Sequence, residues 1–123
     1  MAVVSYTGGG ALKKTFGKAQ RSTARTPLHA ETSIEAATDL LDQADILDVH
    51  LNRQWRSVTG ISGKHMKRKP DVIARSADGR FTGVEAMSGS DNLRETIKRN
   101  LKAMRELGDR AEGVFFIWPR KPK

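Results

Sequence analysis

Two carboxylates, Asp71 and Glu85, flank a turn signal, Asp78-Gly79, inside a stretch that alternates like a hairpin. Residues 71–76 and 81–87 are the expected strands, with Pro70 ahead of the first, where a proline is tolerated. A three-residue loop, Ala77-Asp78-Gly79, places glycine at the left-handed position of a common hairpin connection. Pairing then runs Arg75 with Phe81, Ile73 with Gly83 and Asp71 with Glu85, and directly opposed residues share a face about 5 Å apart at Cβ. A two-residue loop would pair Val72 with Glu85 and split the acids across the sheet. Opposed acids are destabilising unless compensated. A hard divalent cation compensates them, because carboxylate oxygens suit Mg²⁺ or Mn²⁺, with Zn²⁺ as a third candidate. Such an ion acidifies water and stabilises charge at a phosphodiester in transit. The competing reading is two ordinary strand-end acids, each paired to a nearby arginine.

Charge says what such a site would meet. Lys and Arg total 22 against 14 Asp and Glu, a net +8, and a small basic domain usually meets a polyanion, most often nucleic acid. The charges come in blocks. Residues 31–51 hold Glu31, Glu35, Asp39, Asp42, Asp45 and Asp48 without a Lys or Arg, whereas 53–70 hold Arg53, Arg56, Lys64, Lys67, Arg68 and Lys69 without an acid. Lys64, Lys67, Arg68 and Lys69, with Arg94 and Lys102 further on, are the expected backbone-binding residues. The 123 residues make one domain's worth of chain. No apolar run approaches the roughly 20 residues of a spanning helix, and Val3-Val4 is too short for a signal-peptide core. The absence of cysteine excludes disulfides, thiolate metal sites and a cysteine nucleophile.

These residues need a scaffold. Residues 1–27 are polar and contain Gly8-Gly9-Gly10, which reads as a flexible basic tail, with order beginning near Leu28 and a single domain over 28–123. Thr32-Ser33-Ile34-Glu35 has capping-box form, and Ile34, Ala37, Leu40, Leu41, Ala44, Leu47 and Leu51 recur at helical spacing, so a helix is expected over 33–51. A short strand is expected over 55–59, then the hairpin. A second helix is expected from Asp91 or Asn92 to Leu107, its stripe formed by Leu93, Ile97, Leu101, Met104 and Leu107. A buried strand over 113–118 follows. Helix, three strands, helix, strand is an α/β arrangement, a mixed sheet flanked by helices.

That order, together with Pro70-Asp71 and Glu85, resembles the PD-(D/E)xK nuclease superfamily, which implies a restriction-endonuclease-like αβββαβ core with Asp71 and Glu85 on the catalytic metal. The run Arg68-Lys69-Pro70-Asp71-Val72, Asp78-Gly79-Arg80 and Val84-Glu85-Ala86-Met87-Ser88 is similar, more narrowly, to C-terminal toxin domains of bacterial polymorphic toxins of the Rhs and contact-dependent-inhibition types. That resemblance implies a DNase or tRNase delivered as part of a larger secreted or surface protein, acting in the target cell's cytoplasm and matched by a cognate immunity protein, expected to be acidic because the exposed features here are basic. The superfamily's lysine would stand at Met87, which carries no charge, and Ser88 points to the other face unless a bulge turns it. Lys98 on the second helix is the candidate replacement, against its reading as a solvated lysine. Glu35 is the candidate first-helix acid, against its reading as half of a capping box. His29, His50 and His65 share no metal-ligand spacing. A non-catalytic nucleic-acid-binding module of the same fold, or a basic protein-interaction domain, is the alternative.

Overall fold

The computed structural model describes residues 2–6, 12–24, 26–88 and 92–119. Its elements, in chain order, are β1 (Ala2–Tyr6), β2 (Leu12–Gly17), α1 (His29–Leu41), β3 (Ile46–Leu51), α2 (Trp55–Thr59), β4 (Val72–Ser76), β5 (Phe81–Ala86), α3 (Leu93–Leu107) and β6 (Ala111–Ile117), with one 3₁₀ turn at Gly108–Arg110. The strands form one mixed sheet in sequence order. β3, β4 and β5 are antiparallel neighbours, while β6 joins β5 in parallel through the α3 crossover and β2 joins β3 in parallel through α1. No helix among the described residues is long and apolar enough to cross a membrane.

The two faces of the sheet carry separate cores. On one, Ala37, Leu40 and Leu41 of α1 pack on Val49, Leu51, Val72, Ala74 and Val84. On the other, Trp55, Met66, Ile73, Phe81, Ala103 and Leu107 join α2, the 61–69 loop and α3 to the sheet. Trp55 is wholly buried, and its ring lies over Gly83, where an added Cβ would sit 2.9 Å from Cζ2 and 3.0 Å from Cη2. Glycine at position 83 is therefore what lets the indole come this close to the sheet. β3 is fastened to β4 by Asp48, a buried carboxylate that accepts from Arg75 Nε at 2.9 Å and lies 2.9 Å from His50 Nε2. Burial is the main reason that the His50 pKa lies below its ordinary value, against the pull of Asp48.

Several expectations are corrected here. The helix expected over 33–51 ends at Leu41, and Ile46–Leu51 is a strand. The apolar residues 47 and 51 fit helical spacing, but β-branched Ile46 and Val49 suit a strand, and Asp42-Gln43-Ala44-Asp45 supplies the turn before it. The capping box is absent: α1 begins at His29, and the Thr32 and Ser33 hydroxyls donate to the carbonyls four residues earlier, Leu28 at 2.7 Å and His29 at 3.0 Å. Residues 55–59 form a helical turn, ended by Gly60 in the left-handed region, rather than a strand. Residues 1–27, expected as an unstructured tail, contain β1 and β2. β1 and β2 pair with each other, β2 also joins β3, and Phe16 stacks on His50 at a centroid distance of 4.9 Å. Gly8-Gly9-Gly10 lies outside the described residues. α3 has the expected extent, with the Asn92 side chain accepting from Glu95 N–H at 3.2 Å, but it is turned about its axis. Thr96, Asn100, Ala103 and Leu107 face inward, leaving Leu93 and Leu101 38% and 50% exposed.

Replacing Gly83 by alanine is expected to destabilise the fold by about 1–3 kcal/mol through overpacking against Trp55. Urea unfolding monitored by tryptophan fluorescence checks this, and an unchanged midpoint would mean that the indole does not lie on the sheet at this position.

Candidate active site

The hairpin has the register that the three-residue loop requires. Arg75 pairs with Phe81 and Ile73 with Gly83, the Ser76 N–H donates to Arg80 O at 2.9 Å, and Gly79 has φ of 84°. Asp71 and Glu85 sit where this ladder runs out and are linked reciprocally. The Asp71 N–H donates to Glu85 Oε1 at 3.2 Å, and the Ala86 N–H donates to Asp71 Oδ2 at 2.7 Å. The acids are thus neighbours at one end of the β4–β5 pair.

The environment of Glu85 is unusual. Its carboxyl pKa is raised from 4.5 to about 7, first by burial and then by the Asp71 charge. The Asp71 N–H, a hydrogen bond from the Asn100 side chain and the Arg99 charge act in the other direction without cancelling it. A small cleft lined by Arg68, Lys69, Pro70, Glu85, Arg99 and Asn100 opens here. On the other side, His29 Nε2 lies 2.9 Å from Asp71 Oδ1, and a second cleft is lined by Pro27, His29, Met87, Ser88 and Pro119.

The residues expected at the site divide sharply. Asp71, Glu85, Arg68 and Lys69 are brought together. Lys64 and Lys67 are exposed on the same 61–69 loop, and Arg94 and Lys102 are exposed on α3. Glu106 of α3 holds this loop by accepting the His65 N–H at 2.5 Å. Lys98 is corrected: it is 62% exposed, 4.0 Å from Glu95, and the α3 residues that line the cleft are the exposed Arg99 and the buried Asn100. Glu35 is corrected as well. It is an exposed residue on the groove between α1 and β6, beside Asp39, Phe115 and Trp118, and the α1 side chain that reaches Asp71 is His29, at the helix start. Met87 is buried and its N–H donates to Ile117 O at 2.7 Å, so the position at which the resemblance would put a lysine is part of the core. Ser88 is half-buried in the His29 cleft. Sequence reasoning missed His29, Arg99 and Asn100.

The chemistry of the donors fits a divalent cation. Glu85, held back from ionising by burial first and by the Asp71 charge second, is relieved by either a proton or a cation. Among the described residues no three His, Cys, Asp or Glu side chains form a ready cage. Carboxylate oxygens such as these could contribute to a site for an ion that takes one or two carboxylates and completes its shell with water and phosphate oxygens, as Mg²⁺ does.

No family model matches the chain, and no curated protein or solved structure matches it either.

The raised Glu85 pKa has a stability signature. The native state holds a proton that the unfolded chain releases near pH 4.5, so the stabilisation present below pH 4.5 is lost as pH rises to about 7. In chelator, Glu85→Gln is expected to gain about 1–3 kcal/mol over the parent between pH 5 and pH 8, an upper range given partial solvent access. Urea unfolding at the two pH values measures it, and an equal difference at both would show that Glu85 ionises normally.

Proposed function

We propose that this chain is a metal-dependent endonuclease, a phosphodiester hydrolase acting on DNA or tRNA, with its centre at Asp71 and Glu85. One observation carries the reading: Asp71 and Glu85 are tied together at the end of β4 and β5, and Glu85 lines a cleft whose other charged side chains are Arg68, Lys69 and Arg99. Paired carboxylates beside three cations are the complement of a cation bridging to a phosphodiester. The order α1, β3, β4, β5, α3, β6 supports a PD-(D/E)xK-like αβββαβ core over 28–123, with α2 inserted and β1–β2 added to the sheet edge.

In this reading Asp71 and Glu85 hold the ion, which supplies charge stabilisation and acidifies a water. Arg99 takes the place left by Met87. A guanidinium does not serve as a base here but presents a planar fork to phosphate oxygens, which suits it to hold the scissile group and offset developing charge. Asn100 orients Glu85. Arg68 and Lys69 hold the flanking backbone, with Lys64, Lys67, Arg94 and Lys102 widening the basic rim. The setting is that of a toxin domain at the tip of a larger bacterial protein, delivered into a target cell and neutralised in the producer by an acidic immunity protein covering the same rim.

A second reading, a nucleic-acid-binding module without cleavage, is favoured by the buried Met87. Incubation with plasmid DNA and total tRNA in Mg²⁺, Mn²⁺ or Zn²⁺, repeated with chelator, separates the two. Under the nuclease reading Asp71→Asn, Glu85→Gln and Arg99→Ala each lower turnover by about a hundredfold or more, while Lys98→Ala, remote and solvated, changes it by less than about threefold. Salt-sensitive binding without chelator-reversible cleavage would select the module.

A further inference from the structure

We infer that the outer edge of β6 is a docking site for an extended, basic segment of a partner protein, which adds to the sheet as one more strand. The inference stands apart from the nuclease reading and uses none of the residues assigned to the Glu85 cleft. It begins from a mismatch between composition and burial. Gly113-Val114-Phe115-Phe116-Ile117-Trp118 is uncharged and almost wholly apolar, as a core strand would be. Yet no residue of β6 is fully buried, Phe115 is 59% exposed, and Trp118 beyond it is half-exposed. β6 ends the sheet, and among the described residues no strand lies on its outer side.

The backbone there is ready to pair. Ile117 O accepts the Met87 N–H at 2.7 Å, so Ile117 turns its polar groups towards β5. Their direction alternates along a strand, so Val114 and Phe116 turn theirs outward. The irregularity in the β5–β6 pairing lies at the Ala111 end and leaves 113–117 in regular register. Edge strands are ordinarily protected by lysine, proline or a covering element. The single charged residue of β6, Glu112, is paired with Arg80 at 2.7 Å, and proline comes only at Pro119.

Charge selects the occupant. Beside β6 runs a groove of about 370 Å³, with Leu40 and Val84 in its lining, Phe115 and Trp118 on the β6 side, and the exposed acids Glu35 and Asp39 on α1. An added strand gains affinity from main-chain hydrogen bonds and specificity from its alternate side chains. Here an apolar side chain covers Phe115, and a Lys or Arg on the same face reaches Glu35 and Asp39. A second copy of this chain fits less well, because its own β6 has no Lys or Arg to offer those acids. The partner is thus opposite in charge to the one expected at the basic rim.

The probe is a bead-bound library of random nonapeptides, screened against the whole chain in chelator. Recovered peptides are then titrated by fluorescence anisotropy into the parent, Val114→Pro and the double variant Glu35→Gln/Asp39→Asn, with circular dichroism to verify folding. Val114→Pro removes one outward N–H and leaves the β5 ladder its donors. The expected peptides combine Lys or Arg with aliphatic or aromatic residues. They lose about tenfold or more in affinity for Val114→Pro, lose about threefold or more for the double variant, and cease to bind the parent when alternate amides are N-methylated. Recovery of no peptide, recovery of acidic peptides, or binding that survives N-methylation would overturn the proposal, whether or not Val114→Pro folds. Self-association of the parent in sedimentation velocity, abolished by Val114→Pro, would give the edge to a second copy and overturn it as well.

Discussion

Everything at the candidate site depends on a reciprocal pair of backbone-to-carboxylate hydrogen bonds just past the end of the β4–β5 ladder, Asp71 N–H to Glu85 and Ala86 N–H to Asp71. These bonds tie Asp71, which precedes β4, to Glu85 and Ala86 at the end of β5. Electrostatics alone would drive the carboxylates apart. The backbone holds them together because the hairpin register is set a full strand away, at Gly79. Burial first, and the Asp71 charge second, therefore keep the Glu85 pKa raised. Rigid elements that keep an unfavourable charge arrangement in place are what a preorganised centre requires.

The surroundings follow from how the helices sit on this sheet. α1 brings His29 to Asp71 at its first residue, and its acids run away from the site along the helix. On the opposite face, Glu106 ties the 61–69 loop to α3, so Arg68, Lys69 and Arg99 reach Glu85 from two elements locked to each other. The molecule is in this way polarised, with a basic rim on the α3 side and the acidic exterior of α1 on the other.

The hairpin and the acid pair were legible in the sequence because turn chemistry and period-two geometry are local and admit few registers. The α/β class and the extent of α3 were legible for similar reasons. What was not legible depended on tertiary partners. β2 lies in the sheet between β1 and β3, and residues 55–59 are helical although Trp, Val and Thr favour strands. The apolar stripe of α3 pointed to Lys98, but the helix buries Thr96 and Asn100 instead and leaves two leucines partly exposed. That rotation of one residue decides which cation stands at the site, and it is set by how Ala103 and Leu107 meet Trp55 and Phe81, which a helical wheel does not contain.

The two tryptophans occupy opposite environments. Trp55 is sealed between the sheet at Gly83 and the α3-side core, and Trp118, 52% exposed, stands just past the end of the edge strand β6. The protein thereby carries two optical probes with separable readings. Trp55 should emit at short wavelength and resist iodide or acrylamide, reporting the integrity of the core beneath the acids. Trp118 should emit red-shifted light and quench readily, reporting whatever comes to lie against the open edge of the sheet. Changes in the blue and red parts of one emission spectrum can then distinguish disturbance of the core from occupation of the edge.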